Sequence, residues 1–154
     1  MEKAKLESDF IVIGSGIAGL RAAIDLAEAG TVTMFTKAEI TESNSMYAQG
    51  GIAAAVGQND DVDKHYADTI AAGAGLCDPE AVRVLVQEGP EEIERLLRWG
   101  ADFEKEGQWL SLSREGGHSE ARILHGNGGR TGTVVVDALL ARARPDGAET
   151  VEPV

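Results

Sequence analysis

Several common protein classes are excluded by what this sequence lacks. It carries one cysteine, Cys77, in 154 residues, so no internal disulfide can form. A reducing compartment is the expected setting, with Cys77 a small packed residue ahead of Asp78-Pro79. Cations are scarce: 14 Lys and Arg against 26 Asp and Glu give a formal charge of −12. Duplex nucleic acid and anionic membranes favour a basic face, so neither is an expected partner. No stretch is long and apolar enough to span a bilayer. Residues 1–8 are charged and lack the apolar segment of a secretory signal, which points to the cytoplasm. No internal repeat is visible, and no spacing of His, Cys, Asp and Glu suits a metal site.

Glycine, by contrast, is abundant. There are 19 glycines, well above the usual share of about 7%, and they fall in clusters at 14–19, 50–51, 116–117 and 126–132. Clustered glycine without low complexity marks backbone packed closely against something, or loops that need positive φ. An acidic net charge does not oppose an anionic cofactor here, because backbone N–H groups bind phosphate without entering the charge count.

The apolar run Phe10-Ile11-Val12-Ile13 predicts a strand buried on both faces. Residues 20–29 predict a helix stopped by Gly30, and residues 31–36 a second strand, which together make a parallel βαβ unit. Residues 37–56 are irregular and long enough for a functional loop. A helix is expected over 61–72, and another from Asp78-Pro79 to about residue 87. Gly89-Pro90 is expected to interrupt it before a helix over 91–99. A hairpin turning at Glu106-Gly107, a second Gly-rich loop over 114–132 and a helix over 133–144 follow. That last helix is expected to bury Val134, Val135, Ala138, Leu139 and Ala141. Pro145-Asp146-Gly147 reads as a turn, and 149–154 as the start of a strand.

The strongest chemical signal is Gly14-Ser15-Gly16-Ile17-Ala18-Gly19, between a strand and a helix. In this setting Gly14 allows a tight turn, Gly16 lets backbone approach a pyrophosphate, and Gly19 lets helix and strand pack closely. The helix N-terminus offers free N–H groups to the phosphates. The acidic residue that would hold ribose hydroxyls after the second strand is missing, and Thr36 and Lys37 stand there instead. Thr36 still offers a hydroxyl, and the Lys37 stem can lie along an adenine. The substitution weakens NAD as the ligand without separating FAD from NADP.

A second signal, Asn44-Ser45-Met46-Tyr47-Ala48-Gln49-Gly50-Gly51, resembles the flavin-contacting loop of the superfamily of fumarate reductases, succinate dehydrogenases and L-aspartate oxidases. The resemblance implies FAD against this loop, with backbone N–H groups reaching the polar edge of the flavin. In family members with covalent flavin, a His stands four residues before the Ala of Ala-Gln-Gly-Gly. Asn44 occupies that position, so the resemblance implies non-covalent FAD. Tyr47 and Ile40-Thr41-Glu42 match the L-aspartate oxidase version most closely. A third signal is Arg114-Glu115-Gly116-Gly117-His118-Ser119, followed by Arg122-Ile123-Leu124-His125. On its residues alone, Glu115 reads more readily as a loop carboxylate paired with Arg114 than as a substrate group. The resemblance implies that it faces substrate, where a carboxylate favours the ammonium that distinguishes aspartate from succinate. His118 and His125 are supporting candidates.

The expected fold is α/β: a Rossmann-like FAD-binding domain with a mainly helical insertion leading into a capping domain. Its first part is expected over 8–58, the insertion, hairpin and start of the capping segment over 59–130, and the return over 131–154. Family members are several times longer, so the chain is expected to be an amino-terminal portion. The catalytic Arg and the dicarboxylate clamp are then expected beyond Val154. The implied reaction of the intact enzyme is oxidation of L-aspartate to iminoaspartate, with oxygen or fumarate as acceptor. It would lead through quinolinate synthase to NAD. The alternatives are a soluble fumarate reductase or succinate dehydrogenase-type flavoprotein, and an FAD-binding module with no activity of its own.

Overall fold

The computed structural model describes residues 7–143. The expected turn at Pro145-Asp146-Gly147 and the expected strand over 149–154 lie outside these residues. The chain opens with β1 (Phe10–Ile13), α1 (Ile17–Leu26) and β2 (Val32–Phe35), and β2 pairs parallel with β1 in the register Phe10 to Val32 and Ile13 to Phe35. This is the anticipated βαβ unit, with α1 shifted three residues toward the N-terminus. Gly16 is the extended N-cap, so the helix starts directly at Ile17 and carries Gly19 inside its first turn.

The expectation that β1 is buried on both faces is not met. Strand side chains alternate between faces, and α1 covers only the face to which Val12 points. Ile11 and Ile13 stand 64% and 86% exposed on the other face. In a two-stranded sheet with helices on one side, nothing among the described residues covers them.

After β2 come β3 (Ile52–Ala53), α2 (Val62–Ala72) and α3 (Pro79–Arg98). Asp61 caps α2 by accepting from the Lys64 N–H, and Asp78 caps α3 by accepting from Glu80 and Ala81. The predicted break at Gly89-Pro90 does not occur, and α3 runs on through Pro90 for 20 residues. A proline in a helix interior costs about 3 kcal/mol. Burying Val82, Val86 and Ile93 recovers roughly 1.5–3 kcal/mol for each side chain. These three lie on one helical stripe that straddles the proline, and their burial outweighs the local penalty.

The chain continues through β4 (Lys105–Glu106), β5 (Trp109–Leu110), β6 (Leu112–Ser113), β7 (Ile123–Leu124) and α4 (Thr131–Ala143). β4 and β5 form the expected hairpin, with Gly107 at φ +64°. A small antiparallel sheet of order β3-β7-β6 was not anticipated. It ties the Gly-rich segment around residue 124 to the end of the 37–56 loop. α4 buries Val135, Val136, Ala138, Leu139 and Leu140. Val134 is only half-buried and Ala141 is exposed, whereas Val136 and Leu140 are buried without having been expected to be.

One apolar cluster joins the helices. Leu20 and Ile24 of α1 meet Val135, Val136 and Leu139 of α4, together with Ile93, Phe103 and Leu124 from the middle of the chain. The βαβ unit, the 59–130 segment and α4 therefore share one core. Among the described residues no helix is long and apolar enough to cross a membrane.

Candidate functional site

The carboxyl ends of β1 and β2 open onto a cleft of about 650 Å³ lined by three separate segments. Ile13 to Gly16 form one wall, Phe35 to Lys37 a second, and Glu42 to Ser45 a third. In a parallel sheet the crevice beyond the strand ends is where ligands bind, since loops and helix N-termini converge there. Of the sequence-predicted residues, Gly14, Ser15, Gly16, Thr36, Lys37, Asn44 and Ser45 are brought together in this lining. Ile17, Ala18 and Gly19 stand behind it in the first turn of α1.

The three glycines of the turn play different parts. Gly14 has φ +107°, a left-handed value that an L side chain resists, and its N–H donates to Phe35 O at 2.8 Å. A Cβ on Gly19 would stand 2.0 Å from Gly14 O, so the close approach of α1 to the turn requires glycine there. Gly16 is unlike both. Its backbone is in an ordinary extended conformation, and a Cβ would meet nothing nearer than Ser45 Oγ at 3.4 Å. Gly16 also brings no side chain to cap α1, and the Ile17 N–H reaches Ser45 Oγ at 3.3 Å.

Around the cleft, the Thr36 hydroxyl donates to Ala38 O, which closes the turn after β2. Lys37 has no ion-pair partner among the described residues and lines the cleft. The Tyr47 hydroxyl donates to Glu42 Oε2 at 2.8 Å, and this bond to a carboxylate raises the Tyr47 pKa.

Residues 46–51 do not line this cleft. They are docked on the segment that begins α4. Gly50 N–H donates to Gly129 O at 3.0 Å, and Gly132 N–H to Ala48 O at 3.1 Å. Thr131 Oγ1 donates to Gly50 O at 2.5 Å, and Thr133 Oγ1 to Met46 O at 3.2 Å. A Cβ on Gly132 would stand 2.1 Å from Ser45 O, and one on Gly51 would stand 2.2 Å from Ile123 Cγ2. Both glycines are thus required by close packing within the chain. This anchoring by Gly129 to Thr133 was missed in the sequence, although the Gly-Gly-Arg-Thr-Gly run was a visible signal.

Glu115 lies apart from the cleft, beyond β6. Its partner is not Arg114: Oε1 stands 3.3 Å from His125 Nε2, which is also 3.1 Å from Ser113 Oγ. Behind this pair is a charged network that sequence reasoning did not assign. Arg122, 0% exposed, donates through Nε and Nη2 to Asp60 at 2.8 Å each and through Nη1 to Asp68 at 2.6 Å. Asp68 also accepts from the N–H and Oγ of Ser119, both at 2.8 Å. The Ser119 N–H bond leads the causes that bring the Asp68 pKa from 3.8 to about 2, with Arg122 adding and burial opposing. Arg122 Nη1 lies 3.3 Å from His118 Nδ1, which must accept because a guanidinium only donates. His65 packs against His118, and burial, followed by Arg122, lowers its pKa. The network pins the loop carrying Glu115 to α2. Its one sequence signal was an arginine directly ahead of the apolar pair Ile123-Leu124.

Ile13, Phe35 and Ser43 also line the cleft without having been singled out, and Glu42, noted only as part of Ile40-Thr41-Glu42, joins them. Ile13 and Phe35 are the last residues of their strands, which is the rule that could have found them.

Comparison with known proteins agrees with this geometry. The family model described as FAD binding domain matches residues 9–152. An L-aspartate oxidase of Streptomyces coelicolor is 46% identical over 149 residues, covering 96% of this chain and 26% of the relative. A chloroplastic L-aspartate oxidase of Nicotiana tabacum is 54% identical over 133 residues, 86% of this chain and 20% of the relative. Among solved structures, an E. coli quinol fumarate reductase superposes with TM-score 0.82 at 29% identity, over 90% of this chain and 24% of that one. The Mycobacterium smegmatis Sdh1 complex gives TM-score 0.81 at 33% identity, over 88% and 23%. The chain thus spans about a quarter or less of the relatives it matches. With the family model covering nearly its whole length, the chain belongs to the FAD binding domain family of flavoproteins, in the fold of the fumarate reductase and succinate dehydrogenase flavoproteins.

Proposed function

We propose that this chain forms the dinucleotide-binding part of an FAD-dependent L-aspartate oxidase, and that its cleft holds the adenosine diphosphate half of FAD. The observation that carries the cofactor reading is Gly16. Neither its φ nor its packing requires glycine, yet a side chain there would enter the space in front of a helix N-terminus to which the cap residue brings no side chain and at which the first N–H has only the Ser45 hydroxyl, at 3.3 Å. A bound diphosphate explains both features, because it takes the place of the cap and comes too close for a Cβ. The residues present therefore fit the group. Gly14 to Ala18 with Ser45 would hold the diphosphate, and Thr36 with Lys37 the adenosine. The 44–51 loop would lie toward the flavin, with Gly50 and Ala48 held from behind by residues 129–132. Asn44 carries no nucleophilic ring nitrogen, so in this reading FAD is held without a covalent link at this position. In this reading the βαβ unit is Rossmann-like, and residues 59–130 lead into a capping domain.

When bound, FAD supplies the two-electron acceptor for oxidation at the α-carbon of L-aspartate. The contribution of this chain on the substrate side is Glu115. Its carboxylate, half exposed and paired with a histidine and not with a cation of fixed charge, can meet the substrate ammonium. Oxygen or fumarate then serves as final acceptor, and the iminoaspartate formed suits quinolinate synthase.

Glu115→Gln in the full-length protein tests the substrate reading. A charge-assisted contact contributes on the order of 1.5–3 kcal/mol. The variant should therefore lose roughly ten- to a hundredfold in kcat/KM for L-aspartate. Fumarate, which carries no ammonium, should be reduced with little loss. Equal losses on both substrates would reduce Glu115 to a loop-ordering group.

A further inference from the structure

We infer that His125 is the positioning residue that holds the Glu115 carboxylate in register with the cofactor loop. This rests on the reading of Glu115 as the group that meets the substrate ammonium.

The loop is pinned through His118, Ser119 and Arg122, but the Glu115 side chain itself stands outside that network. Gly116 and Gly117 follow Glu115, Gly117 at φ +85°, and the Glu115 side chain is 54% exposed. A freely rotating carboxylate would lose conformational entropy on meeting an ammonium. Among the described residues, His125 is the ion-pair partner of the carboxylate.

His125 is itself firmly held. It follows Leu124, which is fully buried and paired with Ile52 on one side and Leu112 on the other. Its carbonyl accepts the Glu104 N–H at 2.8 Å. The ring lies directly against Gly51, where a Cβ would stand 3.0 Å from His125 Cε1. The edge of the imidazole therefore touches the end of the Ala48-Gln49-Gly50-Gly51 element, while Nε2 faces Ser113 Oγ at 3.1 Å and Glu115 Oε1 at 3.3 Å. A carboxylate only accepts, so His125 holds it only in the form that carries a proton on Nε2. One ring thus spans the cofactor loop and the carboxylate, and it transmits the position of the first to the second.

The test compares three variants of the full-length, flavin-loaded protein. His125→Leu keeps bulk against Gly51 but removes the donor. His125→Gln places an amide N–H where Nε2 stands, and His125→Asn places it one atom short. For His125→Leu and His125→Asn, KM for L-aspartate should rise about tenfold while fumarate reduction stays within about twofold. His125→Gln should recover most of the loss. The Kd of succinate, read from the perturbed flavin spectrum, should not move in any of them. Adding Glu115→Gln to His125→Leu should cost little more than either change alone, because the two act as one unit. The inference is overturned if the histidine variants weaken both substrates equally, if they leave aspartate untouched, or if glutamine rescues no better than asparagine. A wild-type protein inert toward L-aspartate would overturn the underlying reading of Glu115, whatever the histidine variants do.

Discussion

Arg122→Met is the perturbation whose cost can be worked most fully from the structure. The guanidinium is completely buried, and its side chain of similar length would be replaced by one without charge. Asp60, 2% exposed, would lose both of its guanidinium bonds, and Asp68 would lose one at 2.6 Å. Removing one member of a buried ion pair costs about 3–5 kcal/mol, mainly because the remaining charge stays desolvated. That is a large share of the roughly 5–15 kcal/mol by which a domain is stable. Replacing all three groups together, as Arg122→Met with Asp60→Asn and Asp68→Asn, removes the stranded charges and should recover much of the loss. Denaturant unfolding of the full-length protein, followed by tryptophan fluorescence at Trp99 and Trp109, measures both. The pH dependence provides an internal check. The folded pKa of Asp68 is lowered from 3.8 to about 2. Its contribution is therefore complete above the unfolded value and lost as pH falls toward 2. Arg122 supplies part of that lowering, so the gap between wild type and Arg122→Met should narrow over this window. A loss below about 1 kcal/mol at neutral pH, or a gap that does not change down to the acid limb, would refute the reasoning.

Two further predictions concern the cofactor. With Asn44 in place of a flavin-bonding histidine, acid precipitation of the full-length protein should release all yellow colour to the supernatant; colour in the pellet would contradict this. Gly16→Val and Gly19→Ala should separate binding from folding. The first should fold and lose flavin, since only Ser45 Oγ lies near its Cβ. The smaller substitution should be the more damaging to soluble yield, because its Cβ would stand 2.0 Å from a backbone carbonyl oxygen. Normal flavin content in Gly16→Val would remove the diphosphate from this turn.

The βαβ unit was legible because its signals are local. A four-residue apolar run, a glycine turn and a helical stripe follow one another within about thirty residues. The caps at Asp61 and Asp78 were legible for the same reason. What escaped depends on partners far away in the chain. β3 and β7 are two residues each and pair across about seventy positions, too short for any alternation to register. Pro90 was read as a break because a local penalty is visible in sequence, while the burial of Val86 and Ile93 that offsets it is not. Arg122 belongs to the Arg122-Ile123-Leu124-His125 run, yet its role depends on Asp60 and Asp68, more than fifty residues earlier. Adjacency offers Arg114 as an alternative partner for Glu115, whereas chain geometry gives it His125, ten residues on. At the site, the residue types of the cleft could be read, but the anchoring of the 46–51 loop by Gly129 to Thr133 could not.

In the proposed function this chain belongs to a protein that uses FAD to oxidise L-aspartate. The most direct test is anaerobic mixing of the flavin-loaded full-length protein with L-aspartate, in the absence of oxygen and fumarate. The account predicts that the flavin absorbance bleaches, with one equivalent of oxaloacetate and ammonia appearing for each flavin reduced, as iminoaspartate hydrolyses. Admitting oxygen or fumarate should then restore the colour. A flavin that stays oxidised with L-aspartate yet bleaches with succinate would contradict the account and place the protein with the succinate-oxidising members of the fold.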